Sequence, residues 1–247
     1  MLLGCQIQGL AQSSPSVTDP NADAFMDQIE QHSKQIKTLK AKLRYDRIQG
    51  LLGDEQCRFG RLSYAVGPPA RFAIHFDRRV TDGDRLDRQN RWHIFDGRWL
   101  VRRFDDEKQF WKDEIVPPDI RPEEADPLAL GEGPFVVPLN FNKQRVLKKF
   151  NVVMVDMAED DPPHTRHLRL TAKPNRVMEF TEIDIWYNRQ SLLPVLVRTK
   201  DEAEDESIIH LTDVVSNEVI DPEVFDTSPP MKDEGWHVEI NRWQEGR

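Results

Sequence analysis

The sequence has little cysteine, which excludes two common ways of holding a small fold together. Cys5 and Cys57 are the only cysteines in 247 residues. Two thiols so placed give neither a disulfide framework nor the Cys-x-x-Cys pairs of a structural zinc site. A bond between them requires that the N-terminal segment is retained. We therefore expect the fold to depend on a hydrophobic core.

Metal-binding patterns are also incomplete. The stretch "HTRH" places His164 and His167 three residues apart, but on a strand such side chains point to opposite faces. The acidic stretch "VDMAEDDPP", residues 155–163, lacks the Gly and the final Glu of an EF-hand loop. We interpret the two histidines as surface residues and the acidic stretch as a hairpin turn, and we predict no metal site.

Long hydrophobic runs and an excess of positive charge are missing too. No stretch approaches the roughly 18 apolar residues of a membrane-spanning helix. Hydrophobic residues make up 38% of the chain, charged residues 31%, and the net charge is −9. An acidic chain lacks the basic footprint of a protein that binds a phosphate backbone. We expect no transmembrane span and no nucleic acid as the main ligand.

The chain contains no catalytic or nucleotide-binding signature. The patterns G-x-S-x-G, G-x-G-x-x-G, H-E-x-x-H and the P-loop do not occur. Cys57 lies in an alternating segment with no His partner nearby in sequence. We predict a binding protein without a cofactor rather than an enzyme. A hydrolase built from carboxylates and a His that converge from distant strands is the remaining alternative.

The N-terminal segment, residues 1–18, has no charged residue. It contains "GLAQ", in which the small Gly9 and Ala11 flank Leu10, as a signal peptidase site requires. We predict that this segment is the remnant of an export signal, and a disordered tail is the alternative. The stretch "LLGC" also allows a lipoprotein signal ending at Cys5. Residues 19–247 are predicted to form a single domain.

Periodicity predicts a helix followed by strands. Asp19 suits an N-cap and Pro20 the first helical position, and apolar residues then recur at helical spacing. From Leu39 the period changes to two, as in a strand with one solvated face. Further short apolar runs, bounded by Gly, Pro or Asp, predict an antiparallel meander. Residues 117–149 break this pattern and are predicted to form a lid with helical content, or a plain crossover.

Aromatic residues are dense between Trp92 and Trp111. Asp96-Gly97 predicts a hairpin with a type I′ turn. Alternation places several apolar side chains on common faces of neighbouring strands, and we predict that they form one apolar wall that lines a ligand cavity. An ordinary core is the alternative. The predicted wall consists of Phe72, Ile74, Phe76, Trp92, Ile94, Trp99 and Val101.

Four stretches carry a resemblance to a known family. They are "IKTLKAKLRYDRI", "GRLSYAVGPPARFAIHF", "HIFDGRWLVRRF" and "IIHLTDVVSNEVIDPEVFDTSPP". Their order from Asp23 to Val238 resembles that of the periplasmic outer-membrane lipoprotein carriers, the LolA-like family, and of the related lipoprotein-sorting proteins. Each stretch is a loose strand pattern, so the resemblance rests on their collinear order.

The resemblance implies a mainly β, α+β fold, a curved antiparallel half-barrel of about eleven strands. The N-terminal helix and the lid helices would lie on its concave side. It also implies a periplasmic or otherwise exported carrier that binds acylated lipoproteins or lipids in the apolar cavity, where each acyl CH₂ removed from water gains about 0.8 kcal/mol. The alternative is a protein-binding or sensing module of the cell envelope on the same scaffold.

One position departs from the family pattern. The carriers have an Arg directly before the Pro of the strand-opening motif, and this Arg helps to hold the lid. Here Pro68 precedes Pro69, and Arg71 follows two residues later.

Overall fold

The computed structural model describes residues 19–50, 53–81, 85–121, 136–174, 179–231 and 234–244. The predicted export segment and much of the predicted lid, residues 122–135, lie outside these ranges. Within them the chain forms two α-helices and twelve β-strands. The elements are α1 Pro20–Ser33, β1 Thr38–Ile48, β2 Glu55–Ala65, β3 Arg71–Thr81, β4 Arg85–Phe95, β5 Trp99–Phe104, β6 Gln109–Glu114, α2 Lys143–Lys149, β7 Phe150–Val155, β8 Thr165–Ala172, β9 Glu182–Asn188, β10 Pro194–Lys200, β11 Glu206–Ser216 and β12 His237–Asn241.

All twelve strands belong to one open sheet. Their order is β12-β6-β5-β4-β3-β2-β1-β11-β10-β9-β8-β7, so the sheet has two edges and does not close into a barrel. The predicted mainly β half-barrel is confirmed, with one strand more than expected. Neighbouring strands are antiparallel, except that β12 pairs in parallel with β6. The paired strands β6 and β12 are far apart in the chain, and β12 reaches this edge through the segment that follows β11.

The first helix begins where the sequence predicts. Asp19 is the N-cap, and its Oδ1 accepts a hydrogen bond of 2.9 Å from the Asn21 N–H. Pro20 occupies the first turn, where its missing N–H costs nothing. Ala22, Phe25 and other apolar residues of one helix side are fully buried against the sheet. The helix therefore covers one face of the half-barrel.

We call the face under α1 the inner face. Residues 136–141 and α2 also pack on it, and its side chains join those of α1 in the main core cluster. On strands β1 to β5 the inner face is formed by Leu39, Ala41, Leu43, Leu62, Tyr64, Phe72, Ile74, Phe76, Phe95 and Leu100.

On strands β2 to β6 the opposite, outer face is contacted by a C-terminal strap, which we define as residues 217–231 and 234–241. A 3₁₀ helix in the strap, Pro222–Phe225, packs on β3, and β12 completes the edge beside β6. Phe225 lies in a second, smaller core cluster with residues of β2 to β6. Lys112 Nζ donates to the Thr227 carbonyl oxygen at 3.1 Å, and Thr227 Oγ1 donates to Asp96 Oδ2 at 2.7 Å. These contacts hold the strap against the sheet.

Candidate functional site

The seven residues of the predicted wall lie on two faces of the sheet. Phe72 pairs with Phe95, whereas Ile94 pairs with Ala73, one position out of phase. Phe72, Ile74 and Phe76 therefore belong to the inner core, and Trp92, Ile94, Trp99 and Val101 to the outer face. The structure thus forms two walls where one was expected.

The outer set shares one face, as the alternation predicts. Ile94 pairs directly with Val101, and both are buried in the cluster that contains Phe225 of the strap. The Trp92 ring stacks on His75 with centroids 3.8 Å apart. The Trp99 ring lies 5.1 Å from Lys112 Nζ. These residues are covered by the protein's own C-terminal segment and by long polar side chains.

The hairpin between β4 and β5 is confirmed, but its predicted turn type is wrong. Gly97 has a φ of 110°, while Asp96 does not have positive φ. The Asp96 N–H bonds the Trp99 carbonyl oxygen, so the central residues of the turn are Gly97 and Arg98, and only Gly97 has positive φ. A type I′ turn requires positive φ at both central residues, whereas type II′ requires it only at the first. Asp96 Oδ1 instead accepts from the backbone N–H groups of Arg98 and Trp99. The Asp side chain therefore caps the turn.

The inner face carries a chain of aromatic rings that the sequence analysis missed. We call it the aromatic row, and it crosses the sheet from β1 to β6. Successive ring centroids are 5.2 to 6.4 Å apart. The row consists of Tyr45, Phe76, His93, Phe104 and Trp111. Phe76 is buried, but the other four are only half-buried. The apolar inner face thus continues beyond the sealed core.

The sequence alone allows the face on which Phe104 lies to be predicted. A hairpin turn at Gly97 fixes the pairing of Arg91 with Phe104 and places both on the face opposite to Trp99. The contacts that join Phe104 to Phe76 and Trp111 depend on the registers of other strand pairs. No local sequence pattern predicts those registers.

Arginines border the aromatic row. We call Arg58, Arg79 and Arg91 the arginine band; they come from β2, β3 and β4. Arg58 lies in register between Tyr45 and Arg79. The Arg91 guanidinium covers the Phe104 ring at 4.4 Å and pairs with Glu107 at 2.6 Å. This end of the inner face is therefore cationic, although the whole chain is acidic.

His93 is the central member of the aromatic row, and the charges of Arg58 and Arg91 act on it. Burial, together with the charges of Arg58, Arg102 and Arg91, lowers the pKa of His93 to about 3. The ring is therefore neutral at physiological pH. It serves as an uncharged member of the aromatic row rather than as an additional cation.

Among the residues that the structure describes, Asp46 and Asp184 are the buried carboxylates, and both lie on the outer face. His167, expected at the surface, is buried because its Nε2 binds Asp184 Oδ1 at 2.6 Å. Burial, and then the neighbouring Asp46, raise the pKa of the Cys57 thiol to about 11, so it is not a thiolate nucleophile. Among the described residues no group of three or more His, Cys, Asp or Glu side chains is arranged to hold a metal ion.

Arg71 lies on the outer face of the sheet. Its guanidinium lies over the Phe225 ring at 5.0 Å, on the outer face. The side chain therefore contacts the C-terminal strap.

Comparison with known proteins adds information about the fold. No family model matches the chain, and no curated protein matches its sequence. An uncharacterised conserved protein from Thermus thermophilus is similar in structure, with 9% identity, a TM-score of 0.50, and 90% of this chain and 99% of that chain covered. A LolA superfamily protein from Nitrosomonas europaea has 11% identity and a TM-score of 0.36, covering 81% and 96%.

The chain resembles LolA-like proteins in fold. The MucA/MucB complex from Pseudomonas aeruginosa is also similar, with 14% identity and a TM-score of 0.41. The alignment covers 84% of this chain and 61% of that chain. At these sequence identities, the similarity to LolA-like proteins shows a shared fold and nothing about function. In the described part of the chain, no helix has the length and apolar character needed to cross a bilayer.

Proposed function

We propose that this protein is an exported, periplasmic carrier or binding protein for acyl chains of lipids or lipoproteins, which it holds on the inner face of the half-barrel. The observation that carries the proposal is the aromatic row. Its half-buried rings extend the apolar surface of Phe72, Ile74 and Phe76 out of the sealed core. Partly exposed aromatic surface that is continuous with a core is a common feature of ligand grooves.

Energetics favour an aliphatic ligand at this position. Burial of apolar surface gains about 25 cal/mol per Å², and the partly exposed rings of Phe104 and Trp111 retain some surface that a chain can cover. Rings of an acyl-binding wall need no hydrogen-bond partner from the ligand. The neutral state of His93 keeps the centre of the row free of charge.

The test is to measure binding of dodecyl maltoside, below its micellar concentration, by tryptophan fluorescence and calorimetry. We expect F104A to weaken binding about tenfold, since one buried aromatic side chain contributes roughly 1.5 to 3 kcal/mol and only part of the ring is available. F59A is the matched control. Phe59 is also half-buried under an arginine, with Arg78 at 5.2 Å, but it lies on the outer face.

Equal affinities of F104A and F59A would contradict the proposal. So would native mass spectrometry of the protein purified from cell envelopes that shows only the unliganded chain. Co-purified lipid that is lost in F104A and retained in F59A would support it.

A second candidate function is recognition of an envelope protein. It is favoured by the exposed edge strand β7, where Val153 is 37% exposed, and by a groove of about 400 Å³ between α1 and the ends of β7 and β8. An unpaired edge can accept a strand from a partner. The variant V153K should then abolish recovery of a reproducible partner from envelope extract and leave lipid binding unchanged.

A further inference from the structure

The arginine band is an unusual feature of the inner face. Arg58 lies opposite Arg79 in register, and the charges of Arg79 and Arg91 both act on it, beside the apolar inner face of a chain whose net charge is −9. Clustered cations on a strongly acidic protein do not follow from its overall composition. The registers of β2, β3 and β4 place all three residues on the inner face.

Arg58 is the least compensated member of the band. Among the described residues it forms no ion pair, and its side chain donates only to Gln56 Oε1, at 3.1 Å. Arg91 and Arg79 each have one carboxylate neighbour, Glu107 at 2.6 Å and Asp87 at 3.9 Å.

The neighbourhood of Arg58 is unfavourable for its charge. Burial, and then the nearby charges of Arg91 and Arg79, lower the pKa of Arg58. Arginine stays protonated in proteins, so this arrangement costs folding free energy as long as no anion is present. A guanidinium that is half-buried, cationic and without a carboxylate partner is well suited to bidentate binding of a phosphate.

We propose that the arginine band, centred on Arg58, is a binding site for a phosphate group. The band borders the aromatic row, with Arg91 stacked on Phe104 and Arg58 next to Tyr45. A ligand with a phosphate head and an aliphatic tail can therefore contact both features at once. The role of the tail rests on the proposed function, whereas the phosphate site rests on the arginines alone.

The experiment uses three probes with the full chain: dodecyl phosphate, dodecyl maltoside and inorganic phosphate. We expect R58Q to weaken dodecyl phosphate binding about tenfold and to leave dodecyl maltoside binding unchanged, as expected for the loss of one charge-assisted hydrogen-bonding group. Unchanged dodecyl maltoside binding also shows that R58Q is folded. R58K, which keeps the charge but not the planar fork, should have an intermediate affinity.

R61Q is the matched control. Arg61 lies on the same strand as Arg58, but its side chain is 72% exposed on the outer face and has only Asp77 at 3.9 Å. R61Q should bind all three probes like the unmodified protein. A higher ionic strength should weaken dodecyl phosphate binding and not that of dodecyl maltoside.

The outcomes separate the two proposals. If dodecyl phosphate binds equally well to R58Q and R61Q, the phosphate site is refuted and the acyl site stands. A third outcome is that inorganic phosphate binds in an Arg58-dependent manner and that neither amphiphile binds more tightly than inorganic phosphate. The site would then bind free phosphate rather than a lipid headgroup, and the acyl proposal would fail. If no probe binds, both proposals are refuted.

Discussion

Replacing Asp184 with Asn removes a buried charge that two other side chains share. The Asp184 side chain is 3% exposed on strand β9. Its Oδ1 accepts from His167 Nε2 at 2.6 Å and from Arg169 Nε at 2.8 Å, and its Oδ2 accepts from Arg169 Nη2 at 3.0 Å. Burial acts to raise the pKa of Asp184, but these hydrogen bonds outweigh it and hold the pKa below its usual value.

The expected loss of stability follows from the hydrogen bonds that an Asn side chain cannot accept. An amide keeps one acceptor oxygen, while its NH₂ group would face the N–H donors of His167 or Arg169. Breaking a buried ion pair costs about 3 to 5 kcal/mol. We expect about 3 kcal/mol for D184N, because Arg169 is 39% exposed and can be hydrated. For a chain of this size that lowers Tm by about 6 to 12 °C.

Urea unfolding measures this loss, and Trp186 fluorescence reports it locally because the Trp186 ring stacks on His167 at 4.0 Å. D213N is the control: Asp213 pairs with Lys42 at 2.6 Å, but both side chains are exposed, so we expect less than about 0.5 kcal/mol. Similar small losses for D184N and D213N would refute the reasoning.

The same ion pair predicts a pH dependence. A carboxylate whose pKa is lowered in the folded state stabilises the protein above the unfolded pKa, about 3.9 for Asp, and loses this contribution as the pH falls through the folded value. The difference in stability between the unmodified protein and D184N should therefore be constant near neutrality and shrink in acid.

Two further predictions concern the strap and the aromatic row. F225A should destabilise the chain by about 3 kcal/mol, as expected for a Phe that is 5% exposed, and should accelerate hydrogen exchange in β12 more than in β9. V219A, at a strap position that is 89% exposed, should change neither the stability nor the hydrogen exchange of β12. Equal hydrogen exchange in F225A and V219A would show that residues other than Phe225 hold the strap. The pKa of His93 is lowered to about 3 in the folded protein, so as the pH falls the unfolded chain takes up this proton before the folded chain does. The free energy of unfolding should therefore fall by about 1 kcal/mol per pH unit below pH 6.5. H93Q should remove that slope in urea titrations at neutral pH and about pH 5, and an unchanged slope would assign it to other groups.

Local signals in the sequence were sufficient for the secondary structure. Asp19 and Pro20 fixed the start of α1 because capping depends on adjacent residues. Alternation located the strands, and it placed Ile94 and Val101 on one face because successive side chains of a strand point to opposite sides.

The same signals did not locate the candidate site. Alternation defines two faces but not which face the helices cover, and a shift of one residue between β3 and β4 exchanges them. Phe72 and Trp92, which the sequence pattern predicts in one wall, therefore lie on opposite faces of the sheet. His167 was expected at the surface because its partner, Asp184, is a neighbour only across two paired strands.

The sequence by itself determined a mainly β chain that opens with a helix, the approximate positions of its strands, and a net charge of −9. These properties depend on residue types and on spacings of a few positions. Only the tertiary structure decided that the C-terminal strap covers Ile94 and Val101, and that the aromatic row meets the arginine band on the inner face. Strand registers and the course of a long connection bring those residues together, and both are set by packing between segments that are far apart in the chain.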